Sequence, residues 1–303
     1  MKEQTNTKLF EALKDFDTIS LEQLNATMSL MERIEKKYMI KLEDLGALMK
    51  ELHHDYYILS IKNNSIFTYD NIYMDTDDFL FFHQHERGQS SRMKVRTREY
   101  VDSNIAFFEC KQREGEVIRK SRYGLPVQES KILTNQSASF YQSICTSLNL
   151  DHAHVTLKPT IRTLYKRVTL CSKKNDERIT IDFDVQVQDI MNKNTDLISL
   201  GPVAIIETKS SHNKSQSHAI IEKLGYKEAK GCSKYCLGIL YTHTIPSTVR
   251  FKDTMNFIDA VNKPIKKIQK KTTQKLGGIK KSIIADIKKP SKTTAIKKEP
   301  VLV

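Results

Sequence analysis

Lys94-Val95-Arg96-Thr97-Arg98 places a cation at every second residue, with an apolar or small side chain between. Alternate side chains of a strand point to opposite faces, so Lys94, Arg96 and Arg98 share one face. The pattern extends in both directions. Glu109, Lys111 and Arg113 share a face of 105–113, and Lys120 and Arg122 share one of 116–122. Thr163, Tyr165 and Arg167 do so in 161–170, and Thr180, Asp182 and Asp184 in 178–187. Glu207 and Lys209 follow in 203–209, while Arg33, Glu35 and Lys37 stand on 33–40. With 67–75 and 92–100 these make eight predicted strands. The opposite faces carry Ile34, Val95, Ala106, Phe108, Cys110, Leu164, Val168, Ile181, Phe183, Val185 and Ile206. A half-buried sheet explains such alternation in one strand by leaving the charges in water. Its recurrence in eight strands, with Arg and Lys in place of Thr and Ser, favours a sheet that turns its charged face inward. The expected fold is α+β: a closed eight-stranded antiparallel β-barrel with flanking helices around a wet, mostly cationic lumen.

Helical patterns flank these strands. Leu9, Phe10, Leu13 and Phe16 form a stripe, and Ser20-Leu21-Glu22-Gln23 is a capping box opening a second helix within 5–31. Residues 43–53, 138–149 and 215–229 give further helices, and 75–85 one short helix. The expected organisation is an N-terminal helical segment over 1–29, a main domain over 30–245, a linker or short helix over 246–262, and a tail over 263–303.

Charge is unevenly spread. The 303 residues carry 49 Lys+Arg and 36 Asp+Glu, a net +13. Residues 263–303 hold thirteen lysines against two acids and no aromatic residue, so +11 of that charge is in the tail. Such a segment buries too little apolar surface to offset ordering entropy and is expected to be disordered. Its Lys-Lys pairs suit nonspecific binding of a polyanion such as nucleic acid. Met1-Lys2-Glu3-Gln4 leads into no apolar run, and no stretch approaches the roughly 20 apolar residues of a spanning helix. The five cysteines are odd in number and scattered. A cytoplasmic location with reduced thiols and no transmembrane segment is therefore expected. No GxxxxGK[ST] run is present, which disfavours a P-loop ATPase. His83, His85, His152 and His154 are expected at the surface.

Nine short motifs occur in an order that resembles one family. They are Arg33-Ile-Glu35-Lys-Lys37-Tyr38, Tyr73-Met-Asp75-Thr76, Lys94-Val-Arg96-Thr-Arg98, Phe108-Glu109-Cys-Lys111, Lys120-Ser-Arg122, Tyr165-Lys-Arg167, Asp182-Phe-Asp184, Glu207-Thr-Lys209 and Ser233-Lys234-Tyr235. Together they resemble the catalytic domain of the vacuolar transporter chaperone (VTC) polyphosphate polymerases, within the triphosphate tunnel metalloenzymes. The resemblance implies an eight-stranded tunnel that takes ATP and polyphosphate. By position it implies that Lys37, Arg96, Arg98, Lys111, Lys120, Arg122, Arg167 and Lys209 line the tunnel as catalytic cations. Tyr165 would bind substrate with Ser233 and Lys234, a helix-borne pair in that family, and Glu207, with Glu35 second, would hold Mn2+ or Mg2+. Hydrolytic members begin with two glutamates; here Arg33 takes the first place, which speaks for the polymerase branch.

The chemistry agrees with that assignment. Phosphoryl transfer is mostly positioning and neutralisation of spreading negative charge. Arg suits bidentate phosphate contacts and Lys point-charge contacts. Hard divalent ions take oxygen ligands. The leading expectation is transfer of the ATP γ-phosphate to a polyphosphate chain. The alternatives are a tripolyphosphate or nucleoside triphosphate hydrolase of the same fold, and a noncatalytic polyanion-binding module.

Overall fold

The structure, a computed structural model, describes residues 9–27, 34–192, 195–211, 215–245 and 249–263. Arg33 and nearly all of the lysine-rich tail lie outside the described residues. The chain divides into two units, 1–261 and 262–303. The sheet and its charged face belong to the first.

All eight expected strands form. They are β2 (Ile34–Lys41), β4 (Phe67–Asp75), β5 (Arg92–Tyr100), β6 (Ile105–Glu114), β7 (Val117–Leu125), β8 (Lys158–Ser172), β9 (Arg178–Asp189) and β11 (Val203–Ser210). Short β1 (Thr18–Ile19), β3 (Tyr56–Leu59) and β10 (Ile198–Ser199) are additions. The main path runs β2-β11-β9-β8-β4-β5-β6-β7, antiparallel throughout.

The sheet does not close into the expected barrel: β2 and β7 stand at the two ends of that path and share no ladder. Pairing them would press Lys120 of β7 further onto Lys209 and Lys111, which it already repels. Like charges set opposite one another destabilise a strand pair. The sheet nonetheless curls until Lys111 Nζ of β6 reaches Glu35 Oε2 of β2 at 3.4 Å. The inner face is thus a curled trough whose edges meet through an ion pair.

The outer face is apolar and covered by helices. Tyr38, Ile40, Ile181, Phe183, Ala204 and Ile206 pack with Leu45, Leu48, Met49 and Leu52 of α2 (Leu45–Leu52) and Ile221 of α5 (Gln216–Lys223). Leu9, Leu13 and Phe16 of the N-terminal segment join them. The Ser20 capping box forms as expected: Ser20 N–H donates to Gln23 Oε1 at 3.0 Å, and Gln23 N–H to Ser20 Oγ at 3.2 Å, opening α1 (Leu21–Thr27). On the other half, Met93, Val95, Phe108 and Cys110 pack with Phe81 of α3 (Leu80–Glu86) and Tyr141, Ile144 and Cys145 of α4 (Asn135–Ser147).

Two expected faces change. Asp184 adopts a left-handed φ of 53° where the β8–β9 register slips between Leu164 and Lys166. This bulge re-aims the strand. Asp182 stays on the inner face. Val185 turns from the outer set to pack with Val187, Met39 and Ile205 on the inner side, and Asp184 leaves the Thr180–Asp182 row. Ile34, expected in the core, is 39% exposed.

The inner face is only partly wet. Helix α6 (Lys234–Thr242) lies across β8 and β9. Gly238 permits the approach, because a Cβ there would meet Ile161 Cγ2 at 2.5 Å. Tyr235, Cys236 and Ile239 pack with Tyr73, Ile161, Phe82 and Phe251. Asp75, from the Tyr73-Met-Asp75-Thr76 motif, fixes this corner. Its carboxylate accepts from Phe81 N–H at 2.9 Å, Phe82 N–H at 3.0 Å and the Tyr235 hydroxyl, tying α3 to α6.

Candidate functional site: an acid-bridged basic trough

The registers bring the expected site residues onto one inner face. Lys37 is paired with Glu207 across β2 and β11, and Glu35 with Lys209. Arg96 faces Glu109 across β5 and β6, and Glu109 faces Arg122 across β6 and β7. Lys94, Lys111 and Lys120 form one row over the same three strands. Arg167 faces Asp182 across β8 and β9.

Each of four carboxylates bridges two cations. Glu207 holds Lys37 Nζ at 3.1 Å and Lys209 Nζ at 2.5 Å. Glu35 holds Lys111 at 3.4 Å and Lys209 at 3.5 Å. Glu109 accepts from Arg96 Nε at 2.8 Å and Nη2 at 2.7 Å, with Arg98 Nε at 3.8 Å. Asp182 accepts from Arg167 Nε at 2.5 Å and Nη2 at 2.8 Å, and also pairs with Lys234. Burial raises the cost of these charges, and Glu207 further disfavours Glu35. The surrounding lysines prevail, holding Glu35 at about 2 and Glu207 well below the carboxylate range. Burial likewise opposes Glu109, but Arg96 and Arg98 hold it at about 2. Glu207 in turn raises Lys37 above the usual lysine value, against burial.

Three cations of the trough make no ion pair within 4 Å among the described residues: Lys94, Lys120 and Arg122, although Arg122 stands opposite Glu109 and Lys120 feels Glu35 and Glu207 at longer range. Lys94 Nζ donates to Ser233 Oγ at 3.1 Å. Burial, and then Lys37 and Lys111, push Lys94 down to about 8. Ser233 is the N-cap of α6 and accepts from Cys236 N–H. Its hydroxyl therefore joins a helix start to the lysine row, and Lys234 follows it toward Asp182. The sequence motif Ser233-Lys234 thus reaches the trough from a helix, not from the sheet.

Rings back the arginines and one lysine, Lys234, which lies over Tyr165 at 4.6 Å. Arg98 lies over Tyr69 at 5.2 Å and Tyr100 at 5.9 Å, Arg167 over Tyr69 at 4.8 Å and Tyr165 at 5.4 Å, and Arg122 over Phe107 at 4.6 Å. Tyr165 stacks on Tyr69, and its hydroxyl accepts from Arg98 Nη2 at 3.4 Å. Lys37, Lys111 and Lys209 instead gather around Glu35 and Glu207. Sequence reading gave no site role to Tyr69, Asn71 or Tyr73, although they alternate along 67–75 and Tyr73 opens one of the nine motifs. Neutral side chains did not stand out against the charge pattern that identified the other strands. Asn71 accepts from Arg98 Nε at 2.9 Å, and the Tyr73 hydroxyl from Arg96 Nη1 at 3.1 Å.

The surface expectation for the histidines needs correction at two positions. His152 is half-buried with Nδ1 3.0 Å from the Tyr141 hydroxyl. His85 Nε2 is buried without a hydrogen-bond partner, and burial followed by Lys94 and Arg92 keeps the ring neutral. All five cysteines are buried free thiols. No described helix is long and apolar enough to cross a membrane.

The acids of the trough suit one kind of divalent-ion site. Glu35 and Glu207 converge on one ammonium, that of Lys209, so two carboxylates already share a cation. No group of three or more His, Cys, Asp or Glu forms a metal cage among the described residues. A Mg2+-type ion uses one or two carboxylates and completes its shell with phosphate oxygens and water. The pair fits that use and does not fit a self-sufficient protein cage.

The profile of the VTC domain matches residues 32–243, which span every strand and helix that contributes to the trough. The chain belongs to the VTC domain family. No curated protein matches it. Among solved structures it is similar to a candidate adenylate cyclase from Bacillus halodurans, with 18% identity, 74% of this chain and 98% of that chain covered, and a TM-score of 0.41. It is also similar to a candidate adenylate cyclase from Vibrio parahaemolyticus, with 12% identity, 68% and 98% covered, and a TM-score of 0.40. The VTC domain of this chain presents its charged face as an ordered array with a fixed pairing scheme.

Proposed function

We propose that this VTC domain is a triphosphate-tunnel enzyme that transfers the γ-phosphoryl group of ATP to the end of a polyphosphate chain, with Mn2+ or Mg2+ as cofactor. The observation that carries the reading is the excess of cations on the inner face of the sheet. Lys37, Lys94, Arg96, Arg98, Lys111, Lys120, Arg122, Arg167, Lys209 and Lys234 meet only Glu35, Glu109, Asp182 and Glu207 among the described residues. A compact polyanion supplies the missing negative charge.

In this reading Arg96, Arg98 and Arg167 are stiff phosphate donors. Each is held by a carboxylate or an amide oxygen on one side and a ring on the other, so little rotamer entropy is lost on binding. Lys94, Lys120 and Arg122, which make no close ion pair among the described residues, receive the phosphoryl charge. Ser233 and Lys234 hold the chain, with Tyr165 orienting Arg98. Glu207 and Glu35 would hold the divalent ion, which when bound supplies Lewis-acid neutralisation of the phosphate oxygens. The attacking atom is an oxygen of the terminal phosphate, already ionised, so no side chain has to remove a proton. The new bond forms to Pγ, the bond from Pγ to the β–γ bridging oxygen breaks, and ADP leaves with that oxygen. The lysine row neutralises the charge that develops there.

The test is purified protein with ATP and Mn2+, with ADP quantified and products run on a gel stained for polyphosphate. ADP with a ladder supports the polymerase. ADP with orthophosphate and no ladder supports the hydrolase, and no turnover leaves the polyanion-binding module.

A further inference from the structure

The trough has two chemically different ends. Toward Glu35 and Glu207 it is lysine and carboxylate. Toward Phe107 it is arginine and aromatic: Phe107 meets Tyr100 edge-on at 6.0 Å, and Tyr100 meets Tyr69 at 5.0 Å. At that end β7 has no side chain opposite Phe107, because its register partner is Gly124. A Cβ on Gly124 would have no atom within 4 Å. The space beside the ring is therefore open. Gly124, with Ile105 and Pro126, also lines a cleft of about 380 Å³. Small-ligand clefts run from roughly 300 to 1,000 Å³. Arg122, exposed on the edge strand, has no ion-pair or hydrogen-bond partner among the described residues and rests over Phe107 at 4.6 Å. An aromatic face, a guanidinium that rests on it without an ion pair within 4 Å, and an open flank thus stand together.

We propose that Phe107, Arg122 and the space over Gly124 form a nucleobase platform that fixes the direction of the nucleotide. The base lies at the arginine–aromatic end and the terminal phosphoryl group among the lysines. This rests on the trough being a triphosphate site. The spacing suits it: Phe107, Glu109 and Lys111 follow one another on the inner face of β6, and four residues of strand cover about 14 Å. An extended nucleoside triphosphate spans that interval from base to γ-phosphate. Arg122 stands between, in reach of both ring and phosphates. Because stacking on a π face tolerates any base, the platform favours nucleotides over inorganic phosphate chains without selecting adenine strongly.

The experiment compares ATP with inorganic tripolyphosphate by isothermal titration on the full chain, in wild type, Phe107→Ala and Gly124→Leu. Wild type is expected to bind both. Phe107→Ala should weaken ATP about tenfold or more, within the range of base–aromatic stacking, and leave tripolyphosphate within about twofold. Gly124→Leu starts from a Cβ that meets no atom within 4 Å and puts a side chain into the open flank; it should do the same, with retained tripolyphosphate binding reporting the intact fold. Photolysis of 8-azido-ATP should label the peptide spanning Phe107 or Gly124. Labelling at the Lys94 or Lys209 end, unchanged ATP affinity in both variants, or equal loss of the two ligands overturns the platform. Wild type that binds neither ligand overturns this inference together with the triphosphate reading. Selective loss of ATP binding in a protein that makes no polyphosphate sustains the platform and removes only the polymerase.

Discussion

Asp182→Asn isolates the energetics of the trough. Asp182 is 2% exposed, and its partners Arg167 and Lys234 are 14% and 13% exposed. These are buried charges, for which removing one partner costs about 3–5 kcal/mol, and not surface pairs worth a fraction of that. Asn preserves the volume and one acceptor oxygen, so no cavity contributes. The loss is the uncompensated charge of two cations that stand near others. Urea denaturation should show a lower midpoint with an unchanged slope, corresponding to about 3–5 kcal/mol. Tripolyphosphate should restore part of it, about 2.7 kcal/mol at a hundredfold excess over Kd, because the anion replaces the missing acid. Low pH should mimic the variant. Burial opposes ionisation of Asp182, but Arg167 and Lys234 hold its carboxyl below the usual range. Its contribution is therefore present above the unfolded carboxylate value and is lost as pH falls through the lower folded value. A loss under about 1 kcal/mol in urea would refute the account, since it would mean that Arg167 and Lys234 are already neutralised by solvent.

Other outcomes rest on the same geometry. Glu207→Gln should cut metal-dependent turnover by orders of magnitude, while metal-free tripolyphosphate binding, measured by titration, holds or tightens. Lys94, pushed down to about 8, should lose its charge as pH rises through that value, so tripolyphosphate affinity should fall above about pH 8. Over the interval up to the unfolded lysine value the unfolded state binds more protons, so stability should rise with pH; Lys94→Met should flatten both profiles. Gly238→Val should displace α6 from Ile161 and destabilise by about 1–3 kcal/mol or more, with reduced turnover because Ser233 and Lys234 move with the helix. Removing 263–303 should leave turnover at saturating ATP nearly unchanged and weaken capture of long polyphosphate steeply at low salt only.

The eight main strands were legible because charge and apolar character alternate over long stretches, and the inner row Lys94–Arg96–Arg98 could be read directly. Where the period breaks, the reading failed. Asp184 continues the sequence alternation but sits in a bulge, and no residue type marks that left-handed turn as glycine would. β3 is four apolar residues, Tyr56–Leu59, too short to show a period. Helix α6 has apolar residues on several sides because it is buried on several sides, so no amphipathic stripe marked it, and only the family resemblance put Ser233 and Lys234 on a helix. Closure was the larger error. Alternation reports which face a side chain takes but not whether the first and last strands meet. That depends on Lys120 and Lys209, which are distant in sequence and repel across the gap.

The pairing scheme explains how so basic a face can exist without a ligand. Seven of its cations share four carboxylates, each acid bridging two, so the apo protein carries its own surrogate for phosphate. Bridging acids on neighbouring strands also fix spacing, since Glu109 holds Arg96 at two nitrogens and Asp182 does the same for Arg167. On the proposed function these donors are aimed before substrate arrives, which is what stabilisation of a developing charge requires. Lys94, Lys120 and Arg122 are left out of the scheme, and they share one stretch of β5 and β7. An incoming polyanion gains most there, because it neutralises charge without displacing an acid. The first contact is therefore expected on the β5–β7 side, next to the open edge of the sheet. The Glu35–Lys209–Glu207 cluster faces that side across the open edge, where the Lys111–Glu35 pair must adjust before a phosphate can share the site.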